Sequence, residues 1–162
     1  MSGMHSGQQV RFLCDQNLGK LAKWLRILGF DAEFMSHWDE NSLKQAIQCG
    51  RIVLTRKGKF SGKRGMVLIA HDHVQDQLQE LIAVLDLKGI SEPFTRCSLC
   101  NVILQNTSRD EVKGLIADYV YDSHDIFSIC PSCSRIYWKG THISRIYDMI
   151  HLVEEGLNHD QT

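Results

Sequence analysis

Two cysteine pairs constrain this chain more than any other feature. Cys97-Ser98-Leu99-Cys100 and Cys130-Pro131-Ser132-Cys133 each hold two thiols across a two-residue spacer, with about thirty residues between the pairs. Four thiolates fill the tetrahedral shell of a zinc ion, and the short spacer lets a tight turn aim both sulfurs of a pair at one point. The spacing predicts a closed, structural zinc site of ribbon type, one pair per hairpin, with Cys97, Cys100, Cys130 and Cys133 as ligands. The alternative is two disulfides, which need an oxidising compartment. Nothing else in the sequence points to one, so a reducing, cytoplasmic setting is expected. A closed site has no open position for a substrate, so these cysteines speak for architecture rather than for a reaction. Cys14 and Cys49 lie outside the set, in apolar segments, and are expected as buried free thiols.

A chain of 162 residues holds one ordinary domain and a small appendage. Its formal charge of −1 gives no global pull toward nucleic acid or membrane, so any basic site must be local. No apolar run is long enough to span a bilayer, and no membrane role is expected. The stretch 1–9 is polar, lacks the apolar core of a signal peptide, and reads as a disordered leader.

From Val10 the pattern alternates strand and helix. Val10–Asp15 is an apolar run ending in an acid. Leu18, Leu21, Ala22, Leu25 and Leu28 then recur at helical spacing, with Asn17 as the cap and Gly29 as the stop. Asp31–Met35 reads as a strand and Asp39–Gln48 as a helix opened by Asp39 or Asn41. Arg51–Thr55 and Met66–Ala70 read as strands and Val74–Leu87 as a helix. This order argues for an α/β sandwich with a mostly parallel sheet over residues 10–90. A boundary is expected at 89–93, the zinc ribbon over 93–142, and a closing amphipathic helix and tail over 143–162, with Ile146, Ile150 and Val153 on its stripe.

Ligands of open α/β sheets bind beyond the carboxyl ends of the strands. Asp15, Asp39, Thr55-Arg56-Lys57 and His71-Asp72 each follow a strand and are expected on that one edge. Paired carboxylates there, Asp15 with Asp72, would hold Mg²⁺ or Mn²⁺. Such an ion bridging phosphate and water drives phosphodiester hydrolysis. Asp39 joins them or only caps its helix, with Glu40 as its nearest substitute. Arg51, Arg56, Lys57, Lys59, Lys63 and Arg64 form an acid-free stretch among glycines, and Lys20, Lys23 and Arg26 lie on the first helix. Of these, Lys20, Lys23, Arg56, Lys57, Lys59, Lys63 and Arg64 are the candidate phosphate contacts; a solvated, flexible loop is the alternative. Trp24 reads as core, and His71 and His73 as solvated.

The run Arg11-Phe-Leu-Cys-Asp-Gln-Asn-Leu-Gly-Lys-Leu-Ala-Lys-Trp-Leu-Arg-Ile-Leu-Gly-Phe-Asp31 resembles the opening of the Mut7-C RNase domain, a PIN-like family. The resemblance continues through Ile52-Val-Leu-Thr-Arg56, Pro93-Phe-Thr-Arg-Cys-Ser-Leu-Cys100, Phe127-Ser-Ile-Cys-Pro-Ser-Cys133 and Ile136-Tyr-Trp-Lys-Gly-Thr-His142. It implies a PIN-like three-layer α/β sandwich carrying a C-terminal four-cysteine zinc ribbon. It also implies a metal-dependent endoribonuclease acting through acids at the sheet edge, with RNA as partner. Asp15 matches the family's first acid, Asp39 or Glu40 the acid opening the second helix, and Asp72 lies close to the late acid. The third-strand motif, usually Thr-Arg-Asp, is here Thr55-Arg56-Lys57. A cation replaces a carboxylate, which keeps a second function class open: an RNA-binding module that cuts weakly or not at all. PIN-like domains often pair, so a homodimer stays open too, although no residue dictates an interface.

Overall fold

A computed structural model describes residues 9–37, 39–87, 91–140 and 142–155. The leader but for Gln9, residues 88–90 of the boundary and the end of the tail lie outside the described residues.

Four short strands alternate with three helices: β1 (Arg11–Cys14), α1 (Gly19–Ile27), β2 (Asp31–Phe34), α2 (Glu40–Gln48), β3 (Ile52–Thr55), β4 (Met66–Leu68) and α3 (Val74–Leu85). The strands form one parallel sheet in the order β2-β1-β3-β4. Alternation along the two central strands divides the interior. Phe12, Cys14 and Leu54 join Leu21, Leu25, Leu78 and Leu81 of α1 and α3 on one face. Leu13 and Val53 meet Leu43 of α2 and Phe60 on the other. The result is three layers, helix on sheet on helix, with the larger core under α1 and α3. Phe12 meets Phe30 edge-on at 5.7 Å, a contact worth about 1 kcal/mol beyond the area it buries. Trp24 packs against this core, as its helical position predicts.

Element ends differ from the sequence expectation for local reasons. Leu18, not Asn17, sits at the start of α1 and makes no side-chain cap. Its amide bonds back to the carbonyl of Asp15 instead, so the strand–helix turn closes on backbone alone. Asp39 does cap α2, accepting from the amides of Asn41 and Ser42. Cys49 follows the last turn of α2 and is exposed, not buried, because that helix fully buries only Leu43. Gly29 has φ 94°, and a side chain there would meet the Glu92 carbonyl at 2.1 Å, so only glycine fits. The returning segment runs along this turn: the amides of Glu92 and Phe94 donate to the carbonyls of Leu28 and Ile27.

The C-terminal part carries a second sheet, β5 (Gln105–Thr107), β6 (Phe127–Ile129) and β7 (Ile136–Trp138), antiparallel in that order. Between β5 and β6 lie α4 (Arg109–Val112), opened by a capping box of Ser108 and Glu111, and α5 (Asp118–Ser123). Val112, Val120 and Phe127 form their own small core. Helix α6 (His142–Glu155) returns to pack on α3, with Ile150 of the expected stripe and Met149 reaching the main core. The side chain of Val153 lies outside the described residues. No described helix is long and apolar enough to cross a membrane.

The two parts are joined at the edge strand. Both backbone polar groups of Ala32 in β2 are taken by side chains: its amide donates to Asn101 Oδ1 at 3.0 Å and its carbonyl accepts from Arg26 Nε at 2.7 Å. Arg26 also donates to the carbonyls of Ser98 and Leu99. Asn101 Nδ2 donates to Asp31 at 2.7 Å, and Asp31 is gripped a second time by Arg51 at 2.8 Å. Burial pushes the Asp31 carboxyl up, but the bonds from Arg51 and Asn101 outweigh it and hold it below the usual carboxylate range. The open side of an edge strand is a template for unwanted pairing, and here it is closed at Ala32.

Candidate functional site

Cys97, Cys100, Cys130 and Cys133 bring their sulfurs within 4.8 Å of one another. Cys97 Sγ and Cys133 Sγ lie 3.8 Å apart, and a tetrahedron with Zn–S bonds of ~2.3 Å has edges of ~3.8 Å. The two pairs are built alike. The amides of Cys100 and Cys133 point at the first sulfur of their own pair, and the amides of Asn101 and Ser134 close each turn onto the carbonyls of Cys97 and Cys130. Asn101 and Ser134 both take the left-handed conformation, at φ 63° and 62°, just past the second cysteine of each pair. The Tyr137 hydroxyl lies 3.0 Å from Cys97 Sγ. Burial pushes the Cys97 thiol up, but bonds from Tyr137 and the amides of Cys100 and Leu99 outweigh it and bring it to about 6. All four positions are thiols in tetrahedral reach, so the set fits a structural zinc ion and leaves no coordination position for a substrate.

The acids follow their strands as the topology predicts, but each is engaged differently. Asp15, directly after β1, is 1% exposed. Its Oδ2 accepts from the Thr55 hydroxyl at 2.9 Å, and its Oδ1 accepts from the Gln16 amide at 2.6 Å. The Lys57 amide in turn donates to Thr55 Oγ1, so Lys57 and Asp15 connect through one hydroxyl. Asp72 is exposed and accepts from Arg56 Nη2 at 2.5 Å. That bond, and the Arg56 charge behind it, hold its carboxyl below the ordinary range. Asp39 spends both oxygens on Asn41 and Ser42, and the Ser42 hydroxyl and Asn41 amide lower its pKa. Glu40 faces Lys59 at 3.8 Å. Among the described residues the cysteines are the one set of three or more candidate ligands within 4.8 Å of each other. Asp15, Asp39 and Asp72 share an edge without forming such a set.

His71 is exposed, and its Nδ1 lies 2.8 Å from Glu80, whose carboxylate also accepts from the Ala70 amide and raises the imidazole pKa. Gln77, buried on α3, donates to the His71 carbonyl. The loop after β4 is thus pinned to α3.

The basic stretch after β3 is anchored rather than flexible. Gly58–Phe60 forms a 3₁₀ turn, and Phe60 is buried in the core under α2. The ammonium groups of Lys59 and Lys63 lie over its ring at 5.0 and 4.8 Å. Lys20, Lys23, Arg56, Lys59, Lys63 and Arg64 are exposed and Lys57 is half-buried. Arg51 is spent elsewhere, on Asp31 and Glu33 at the far end of the sheet.

Thr55 went unseen in the sequence as the residue that fixes Asp15, although its place after the three apolar residues of β3 was a usable signal. Asn101 and Glu80 went unseen too, and Arg26, expected among the basic residues of the first helix, is spent on the Ala32, Ser98 and Leu99 carbonyls; these roles arise only from tertiary contact.

Comparison with known proteins gives one result that bears on these residues. The Mut7-C RNAse domain matches residues 10–150. No curated protein and no solved structure matches the chain.

Proposed function

Because the chain belongs to the Mut7-C RNAse domain family, we propose that it is an endoribonuclease that hydrolyses RNA phosphodiester bonds at the carboxyl edge of its parallel sheet. The observation that carries this reading is Asp15. A carboxylate buried at the end of a central strand is costly unless it is bonded. Here one oxygen is held by a hydroxyl and the other by an amide, which leaves lone pairs on both oxygens.

The fit is with a single Mg²⁺ or Mn²⁺ rather than a caged pair. Mg²⁺ is commonly held by one or two carboxylates plus substrate phosphate and its own waters. Asp15 is the residue that would hold it, with Asp72 as the second candidate. The ion would polarise a phosphoryl oxygen and make bound water acidic. The chain's own residues do the rest. Thr55 fixes the Asp15 rotamer. Arg56 sits between the ends of β3 and β4, where it can bind a phosphate while paired to Asp72. Asp39 is a candidate to orient water once it leaves Ser42. Lys57, Lys59, Lys63 and Arg64 on one flank, and Lys20 and Lys23 on the other, would carry the strand's remaining phosphates.

One observation favours a second reading, an RNA-binding module without cleavage. Lys57 follows Thr55-Arg56, and Asp72 is neutralised by Arg56 rather than turned to Asp15. The two readings separate in one assay. Mixed-sequence RNA is incubated with wild type and Asp15→Asn, with and without added Mg²⁺ or Mn²⁺. Cleavage that requires the ion and is lost in Asp15→Asn supports the enzyme. Salt-sensitive binding by both proteins with no cleavage supports the module. Neither binding nor cleavage sinks both.

A further inference from the structure

The edge strand β2 is covered along its amino half and open at its carboxyl end. Asn101 and Arg26 close off Ala32. Two residues on, Phe34 is 42% exposed. Phe34 pairs in register with Cys14, the residue before Asp15. The next amide, of Met35, still donates to the Cys14 carbonyl at 2.9 Å, so the strand is still paired there. The ring is propped from one side. Its Cε2 and Cζ atoms lie 3.5 and 3.6 Å from where a side chain on Gly19 would begin, at the start of α1. Exposed Lys20 and Lys23 rise from that same helix.

We infer that Phe34 is the stacking platform for a nucleobase of single-stranded RNA lying across the carboxyl edge beside Asp15. The inference rests on the RNA reading above and names its substrate class. Neighbouring strands are ~4.8 Å apart. The strand that carries the ring thus lies next to the one that leads into Asp15. A phenyl ring has no polar edge, so it reads the π-face that every base owns and tolerates any sequence. A duplex hides those faces in its own stack, so only an unpaired, splayed base can use the ring. The charge around the ring agrees: cations on α1 flank it on one side, and those after β3 lie beyond Asp15 on the other. A single exposed aromatic is common on protein surfaces. Phe34 differs in standing on a paired strand end, in register with the residue before the buried acid.

The test measures binding of a labelled single-stranded RNA and of the same sequence as a duplex, without added Mg²⁺ or Mn²⁺ so that the RNA stays intact. The proteins are wild type, Phe34→Ala, Phe34→Leu and Phe34→Trp, each checked for zinc content and far-UV circular dichroism. Phe34→Ala and Phe34→Leu should bind single strands about 5- to 100-fold more weakly, the usual loss for one base–aromatic stack. Phe34→Trp should bind like wild type, and the added indole emission should be quenched by RNA. Duplex binding should be the same in all four. The inference is overturned if wild type binds single strands and Phe34→Ala binds them equally well. It also falls if leucine restores binding, for then the ring is only apolar surface. If wild type binds no RNA in either form, the proposed function itself fails, and this inference with it.

Discussion

Replacing Asn101 by alanine tests the joint between the two parts of the chain. Three losses add. The bond from the Ala32 amide is a neutral one, worth about 1 kcal/mol net, and the bond to the Asp31 carboxylate is charge-assisted, worth about 1.5 kcal/mol. Asn101 also sits at φ 63°, where asparagine is tolerated and alanine costs about 1 kcal/mol more. The sum is about 3 to 4 kcal/mol, a large share of a domain's usual stability. Asn101→Gly loses the same two bonds but relaxes the backbone, so it should cost about 1 kcal/mol less than alanine. Urea unfolding of the zinc-loaded variants, with matched slopes, measures both. The Asp31 carboxyl is held low in the folded state, so its contribution is full above its unfolded pKa near ~4 and is lost as pH falls through the lowered folded value. Without Asn101 the folded value rises toward the unfolded one, and the variant loses less stability than wild type on acidification. The reasoning is refuted if alanine costs under ~1 kcal/mol, or if glycine proves worse than alanine.

Stripping zinc should unfold the C-terminal sheet and also speed hydrogen exchange at the Ala32 amide, because structural zinc supplies on the order of 10 kcal/mol to such modules; about one zinc per chain should be found in the native protein. Lys57→Asp should tighten Mn²⁺ binding in titration calorimetry and raise any divalent-dependent cleavage: at ~4 Å and an effective dielectric of about 20, two unit charges interact by about 4 kcal/mol. Equal Mn²⁺ affinity in both proteins would show that Lys57 points away from Asp15. Reversing Lys59, Lys63 and Arg64 to Glu should weaken RNA binding for every sequence alike and flatten its salt dependence; an unchanged affinity would mark the loop as merely solvated.

Much of this architecture could be read before any coordinates. Arg51–Thr55 announces a buried strand because both of its faces are covered and Ile52, Val53 and Leu54 run unbroken, and Phe12, Leu13 and Cys14 mark the first strand in the same way. The cysteine pairs announce their centre because metal geometry is local to each turn. The acids could be placed on one edge because every strand is parallel, but their partners could not. Whether Asp72 turns to Asp15 or to Arg56 depends on the loop 69–73 between β4 and α3. Glu80 and Gln77 on α3 pin that loop, and no local pattern encodes the contact. Cys49 misled for a related reason: it sits at the end of α2, where a helix with one fully buried residue turns its end to water. Asn101 carried a signal in hindsight, since a turn-former just past a cysteine pair suits the left-handed bend. Its grip on β2, some seventy residues earlier, carried none.

That distance along the chain sets an order of birth. Ribosomes add about 5–20 residues per second. Strand β2 therefore leaves the tunnel several seconds before Asn101, and longer still before Cys133 completes the second turn. Through that interval Arg26 can cap the Ala32 carbonyl, but the Ala32 amide on the outer rim of the nascent sheet has no partner from Asn101. A polysome threading many copies along one message brings such rims close together. Zinc binding, complete only once Cys133 has emerged, would then fix the turn that carries Asn101 onto β2 and cover that amide.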